Sequence, residues 1–187
     1  MEIKKTLSLI LDELKSTCAG LNEAELQELE NRILKANRIY VAGAGRSLMV
    51  IRGLAMRLMH IGLNAYVVGE TVTPAIEKGD FLIIASGSGE TKTLTVIAQK
   101  CKSMDIPFGL ITTDPDSTIG ALADCIVCVN AASPKLANEK HSSIQPGGNT
   151  FEQSVLLIGD ALIIDMTSNK SLHESNIELM KRHANLE

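Results

Sequence analysis

The sequence predicts an α/β protein in which a parallel sheet lies buried between helices. Two observations carry this. Five short runs rich in Val, Ile and Leu, at 38–42, 65–68, 81–85, 108–112 and 125–129, are apolar without alternation, the pattern of strands covered on both faces. Between most of them stand stretches with apolar residues three and four apart, at 47–61, 91–103 and, more briefly, 117–122. Strands separated by helical crossovers pair in parallel.

Taken in order, the chain opens with a helix over 3–18, where Ile3, Leu7, Ile10, Leu11 and Leu14 share a face. Asn22 can cap a second helix, and Glu23 and Glu25 complement the positive end of its dipole. Leu26, Leu29, Ile33 and Leu34 give that helix one apolar side. The five strands and their crossovers follow. Residues 130–150, with Pro134, Pro146, Gly147 and Gly148, form one long irregular stretch, of a length that in compact domains is usually functional. A helix resumes from about 151 (Phe151, Val155, Leu156, Ile158, Leu162, Ile163), and another covers about 173–183. No low-complexity segment or linker divides the 187 residues, so a single domain is expected.

Composition narrows the function. The chain is 45% hydrophobic and 21% charged, enough for a packed core. Its formal charge is −4, no basic block stands out, and it has 2 Tyr, 3 Phe and no Trp. Nucleic-acid binding, which needs phosphate neutralisation and stacking aromatics, is not expected. No apolar run approaches the roughly 20 residues of a membrane span, and Met1-Glu2-Ile3-Lys4-Lys5 lacks the layout of a signal peptide. A soluble, cytoplasmic protein is the expectation. Cys18, Cys101, Cys125 and Cys128 are too sparse for a disulfide scaffold. Cys125 and Cys128 are spaced C-x-x-C, but on a strand residues three apart face opposite ways, and no second pair or nearby His completes a zinc set. They read as buried small hydrophobes, and neither a metal nor a cofactor is expected.

Two turns carry the chemistry. The first strand runs into Gly43-Ala44-Gly45-Arg46-Ser47 and a helix; the third runs into Ser86-Gly87-Ser88-Gly89-Glu90-Thr91 and a helix. Glycine allows positive φ and close backbone approach, and the unpaired N–H groups of a helix start attract an anion. Ser47, Ser86, Ser88 and Thr91 add hydroxyl donors, which suits a phosphate monoester with its strong acceptor oxygens. Each loop alone is equally explained as a tight βα turn with a capping hydroxyl. Neither is a Walker loop, since no Lys follows the last glycine, and the first lacks the third glycine of a dinucleotide site, leaving Glu70 as a weak ribose-binding acid. The pair together favours a sugar phosphate. In a flavodoxin-like strand order, 2-1-3-4-5, strands one and three are neighbours whose connections diverge, and ligands bind at that switch point.

With these residues in view, the chain resembles the sugar isomerase (SIS) domain superfamily and, within it, the 6-phospho-3-hexuloisomerase family. The likeness rests on the two loops, on Ala55-Met56-Arg57-Leu58-Met59-His60, on Val67-Val68-Gly69-Glu70 with Thr73-Pro74-Ala75, on Gln145-Pro146, on Phe151-Glu152-Gln153, and on the terminal His183-Ala184-Asn185-Leu186-Glu187. It spans nearly the whole chain. It implies a three-layer αβα sandwich with a five-stranded parallel sheet. The core would occupy about 30–170, with helices 3–18 and 173–183 as extensions for oligomerisation or for completing the site. It also implies a homotetramer and the interconversion of 3-hexulose 6-phosphate with fructose 6-phosphate, a step of formaldehyde fixation by the ribulose monophosphate route or of its reverse. Two departures from the family pattern are Leu48, where glycine usually follows the serine, and Gly147 in the loop before Glu152. Neither removes a proton-transfer group.

Moving a carbonyl between C2 and C3 goes through a cis-enediol and requires a base, an acid and an anion cradle. The resemblance puts Glu152 at the base; without it, a glutamate in a first helical turn simply complements the dipole. Gly45, Arg46, Ser47, Ser86, Gly87, Ser88, Gly89, Glu90 and Thr91 form the expected phosphate and substrate site. Repulsion by the phosphate should turn the Glu90 carboxylate away. Glu70 is a rival carboxylate or a support for a subunit contact, and Arg46 either contacts substrate or anchors an interface. His183 is the candidate acid, from this or a neighbouring subunit, or else it balances a helix dipole. His60 should pack at its helix end, and His141 and His173 should be solvated. Another SIS isomerase working through a 1,2-enediol, or a non-catalytic sugar-phosphate regulator, are the alternatives.

Overall fold

The computed structural model describes residues 2–132, 143–169 and 171–186. The middle of the long irregular stretch, including Pro134 and His141, lies outside the described residues. Among the described residues, six α-helices and five strands follow one another as α1 (Ile3–Ala19), α2 (Glu23–Lys35), β1 (Ile39–Gly43), α3 (Arg46–His60), β2 (Ala65–Val67), β3 (Phe81–Ala85), α4 (Lys92–Ser103), β4 (Phe108–Thr112), β5 (Cys125–Cys128), α5 (Asn149–Met166) and α6 (Leu172–Arg182). All four strand pairings are parallel, in the order β2-β1-β3-β4-β5. The expected sheet is therefore present, and Asn22 caps α2 as the sequence suggests, its Oδ1 accepting from Ala24 N at 2.9 Å.

Alternation along each strand sends side chains to two cores. On one face Ile39, Val41, Phe81, Ile83, Ile111 and Val127 pack under α2, α3 and α5, through Leu29, Ile33, Ile51, Leu54, Leu58, Phe151, Val155 and Ile158. On the other, Tyr40, Ala42, Leu82, Ile84, Phe108 and Leu110 meet Leu94, Ala98 and Cys101 of α4. Three helices on one face and one on the other have a consequence. β3 and β4 are buried throughout and β1 nearly so, but the edge strands β2 and β5 are not. Tyr66 and Ile126 lie on the face that α4 alone covers, and they remain half-buried. Burial on both faces thus holds for the central strands and not for all five.

The helix expected at 117–122 is a single 3₁₀ turn, Gly120–Leu122. Ser117 Oγ donates to Asp114 O at 2.7 Å and accepts from Gly120 N at 3.2 Å, closing the chain into a turn before a second helical turn can form. α1 rests on α5 and buries little else than Leu14 and Thr17, leaving Ile3, Leu7 and Leu11 exposed. Cys125 is buried and Cys128 half-buried, all four cysteines are free thiols, and burial pushes the Cys125 thiol up to about 11. Among the described residues no group of three or more His, Cys, Asp or Glu could hold a metal ion, and no helix is long and apolar enough to cross a membrane.

At the amino end of the sheet a charged clamp joins β1 to β3. Arg38 donates to both Asp80 oxygens, at 3.1 Å from Nε and 2.8 Å from Nη2, and Asp80 Oδ2 also accepts from Glu77 N at 2.8 Å. Asp80 is only 2% exposed, so removing it costs Arg38 its buried two-oxygen partner and leaves it the exposed Glu77 carboxylate, at 3.1 Å from Nη2. Asp80→Ala should lower the Tm by roughly 10 °C in a thermal melt, with no change in ligand affinity, because the clamp lies at the end of the sheet away from the glycine loops.

Candidate functional site

In the register of the sheet Gly43 of β1 lies beside Ala85 of β3, so the two glycine loops start side by side. They then part, one rising into α3 on the first face and the other into α4 on the second. The switch-point crevice expected from the strand order lies between them.

The first loop is shaped by close backbone approach. A Cβ on Gly43 would sit 2.8 Å from Leu48 N, so only glycine lets α3 begin this near β1. Gly45, at φ +56°, is the N-cap and supplies no side-chain cap, which leaves the first N–H groups of α3 facing outward. Leu48 packs at the border of the core, so the departure from glycine at that position is absorbed by burial. Ser47 is half-buried beside it.

The second loop is held by its backbone. The Gly87 carbonyl accepts from Thr113 N (2.9 Å), Thr112 Oγ1 (3.1 Å) and Thr113 Oγ1 (2.7 Å). Ile119 N donates to Gly89 O at 3.1 Å. Ser88 Oγ accepts from Glu90 N at 3.3 Å, and Thr91, the N-cap of α4, makes no side-chain cap bond. Ser86 is 3% exposed, and its Oγ has no hydrogen-bond partner among the described residues. A buried hydroxyl without a partner costs about 1–3 kcal/mol and calls for an explanation. The hydroxyl sits in the glycine loop that opens α4, within reach of the crevice.

Gly89 is the hinge of this loop, at φ +59°, and a Cβ there would overlap the Ser117 side chain. Ser117 cannot swing aside without breaking its bonds to Asp114 and Gly120. Gly89→Ala should therefore lower the Tm by about 10 °C and raise the KM for sugar phosphate, both measurable on the purified variant.

The Glu90 carboxylate is turned out of the crevice. It accepts from Thr118 N at 2.6 Å and Thr118 Oγ1 at 2.8 Å, and these bonds hold it below the usual carboxylate range. Glu90 thus anchors its loop to the turn that carries Thr118.

Glu152 comes from the opposite end of the sequence. The Phe151 ring packs against Gly87, and Glu152 Oε2 accepts from Arg46 Nε, so the first turn of α5 touches both loops. The Glu152 side chain is 13% exposed and that of Arg46 59%. A carboxylate, an exposed guanidinium paired with it and a loop with an unpartnered hydroxyl therefore lie side by side. The Arg46–Glu152 pair, 106 residues apart in the chain, could not be read from local pattern. Thr112 and Thr113 were also missed as loop supports, although two adjacent hydroxyls at the end of a strand were a usable signal.

The histidines lie elsewhere. His60, the last residue of α3, is buried, as expected of a packed helix end, and burial lowers its pKa. The His183 ring stacks on it with centroids 5.5 Å apart, and Arg182 Nη1 donates to His60 O at 3.3 Å. α3 has 15 residues, which puts His183 roughly 20 Å from the Arg46 end of that helix. Within one chain His183 does not meet Glu152. His173 is exposed, and Glu70 forms a surface pair with Arg52 at 3.1 Å.

Comparison with known proteins identifies the family and agrees with the fold. The SIS domain family model matches residues 32–146. The 3-hexulose-6-phosphate isomerase of Bacillus subtilis (strain 168) is 40% identical over 187 residues, covering 100% of both chains. That of Mycobacterium gastri is 40% identical over 186 residues, covering 100% of this chain and 92% of its own. A crystal structure from Methanococcus jannaschii, from which a 3-hexulose-6-phosphate isomerase function was inferred, has a TM-score of 0.81 at 33% identity, covering 98% of this chain and 99% of that one.

Proposed function

Since the chain belongs to the SIS domain family, among its 3-hexulose-6-phosphate isomerases, we propose that its crevice interconverts 3-hexulose 6-phosphate and fructose 6-phosphate through a cis-2,3-enediolate. The observation that carries the proposal is the first turn of α5, which touches both glycine loops and thereby sets a carboxylate beside an anion cradle.

The phosphate is taken by the Ser86, Ser88 and Thr91 hydroxyls and the open amides at the start of α4, with Gly87 and Gly89 keeping the backbone close. Gly45, Arg46 and Ser47 complete the opposite wall. Glu152 removes the proton from C2, and the electron pair forms the C2–C3 double bond as the C3 carbonyl oxygen becomes anionic. Glu152 then returns that proton to C3, while the O2 proton passes to O3 and the carbonyl re-forms at C2. The net change moves one hydrogen from C2 to C3 and one from O2 to O3. Arg46, already at Glu152, supplies positive charge as the oxyanion develops.

A 3-ketose phosphorylated on O6 cannot close a five-membered ring, because that closure needs the blocked oxygen, so it enters open-chain. Fructose 6-phosphate cyclises through O5, and the reverse direction needs a ring-opening acid. His183 can fill that role only from another copy of the chain, given its place at the far end of α3. A homotetramer joined through the terminal helices would bring the two sites together. A cytoplasmic setting and a step in formaldehyde fixation belong to the same reading.

The test is an assay with authentic 3-hexulose 6-phosphate in deuterated water. Fructose 6-phosphate should form and carry label at C3. With fructose 6-phosphate supplied instead, label at C1 would indicate a 1,2-enediol isomerase, and thermal stabilisation by the sugar phosphate without turnover would indicate a regulator.

A further inference from the structure

α5 begins without a cap of its own. Its N-cap is Gly148, which makes no side-chain bond, and it follows Gly147 at φ +64°. Two glycines give the amino end of the helix no side-chain anchor of its own, beyond the packing of Phe151 on Gly87. A further hold comes from α1. Glu13 Oε1 accepts from Thr150 Oγ1 and, at 2.6 Å, from Ser143 Oγ. Gln145 supplies the other half: its Nε2 donates to Thr150 Oγ1 at 3.1 Å and its backbone N to Ser143 Oγ at 2.9 Å. Each hydroxyl thus gives its one proton to Glu13 and receives one from Gln145. Thr150 and Gln145 are buried, at 2% and 8% exposure, so the network is shielded from competing water. Thr150 stands two residues before Glu152, in the same helical turn.

We infer that Glu13 is a positioning residue for the isomerase reaction, a carboxylate on the N-terminal helix that fixes the first turn of α5 and so aims Glu152 at the substrate. The inference rests on Glu152 being the base. It makes α1 a working part of each subunit's own site, in addition to any part it takes in assembly. Proton abstraction needs the reacting atoms held in line, and a displacement near 1 Å can cost about a hundredfold in rate. Phosphate capture depends instead on the serine loop, which Glu13 does not touch.

Glu13→Ala should therefore lower kcat about tenfold while leaving KM within twofold. Glu13→Gln should recover most of the loss, because its amide oxygen can still accept from both hydroxyls. Thr150→Val should reproduce the Glu13→Ala defect, and the double variant should be no slower than either single one, since both break the same link. If Glu13→Ala does not fold, Thr150→Val and Glu13→Gln carry the same expectations. Wild-type kcat in Glu13→Ala or Thr150→Val would overturn the inference, as would a loss shared equally by kcat and KM that Glu13→Gln does not repair. Assay of Glu152→Gln alongside separates the two readings. If Glu152→Gln is inactive and Glu13→Ala is normal, only the positioning role falls; if Glu152→Gln is active, the base assignment falls first.

Discussion

Glu152→Gln should turn over about a thousandfold more slowly than the parent enzyme while still binding sugar phosphate. The substitution keeps the shape of the side chain and a hydrogen-bond acceptor for Arg46, and removes only the capacity to take a proton from carbon. General-base catalysis is worth about 10²–10⁴ in rate. Binding resides elsewhere, in the hydroxyls and amides of the serine loop and the start of α4. The measurement is kcat with 3-hexulose 6-phosphate, paired with the rise in Tm on adding fructose 6-phosphate. A rate near that of the parent would remove Glu152 as the base. Loss of the Tm rise together with activity would mean that the carboxylate and its Arg46 partner organise binding rather than proton transfer.

Ser86→Ala is the second large effect, and its signature is a split between stability and affinity. Ser86 Oγ is buried with no partner among the described residues. The ligand-free protein therefore carries an unmet desolvation cost of about 1–3 kcal/mol, which alanine relieves. Ser86→Ala should leave the Tm of the free protein unchanged or raise it by a few degrees. A hydrogen bond to a charged phosphate contributes about 1.5–3 kcal/mol, so affinity for fructose 6-phosphate should fall by roughly 10- to 100-fold. Calorimetric titration and a thermal melt of the same sample read both numbers. A fall in Tm with unchanged affinity would make Ser86 a structural hydroxyl and place the phosphate elsewhere.

The fold was largely legible because its signals are local. The apolar runs at 81–85 and 108–112 coincide with β3 and β4, and the Asn22 cap and the expected helices other than 117–122 fall within a few residues of their observed ends. Burial of the edge strands was not legible. It depends on how many helices cover each face, and three lie on one side against one on the other. The candidate site was legible in its two loops. Loop residues from Gly45 to Ser47 and from Ser86 to Thr91 flank the crevice, but the direction of the Glu90 carboxylate depends on Thr118, 28 residues later.

Periodicity and glycine placement by themselves specified most of the succession of strands and helices and the two glycine-rich turns, since each follows from the backbone preferences of a few adjacent residues; the strand order came with the family resemblance. Which charges face one another was settled by folding. Arg46 meets Glu152, Glu13 meets Thr150, and His183 stacks at the far end of α3, because residues more than a hundred positions apart are brought together only by the packing of α1, α3, α5 and α6. No local pattern records such distances, since the energy that selects them comes from burying whole helix faces rather than from the residues that end up in contact.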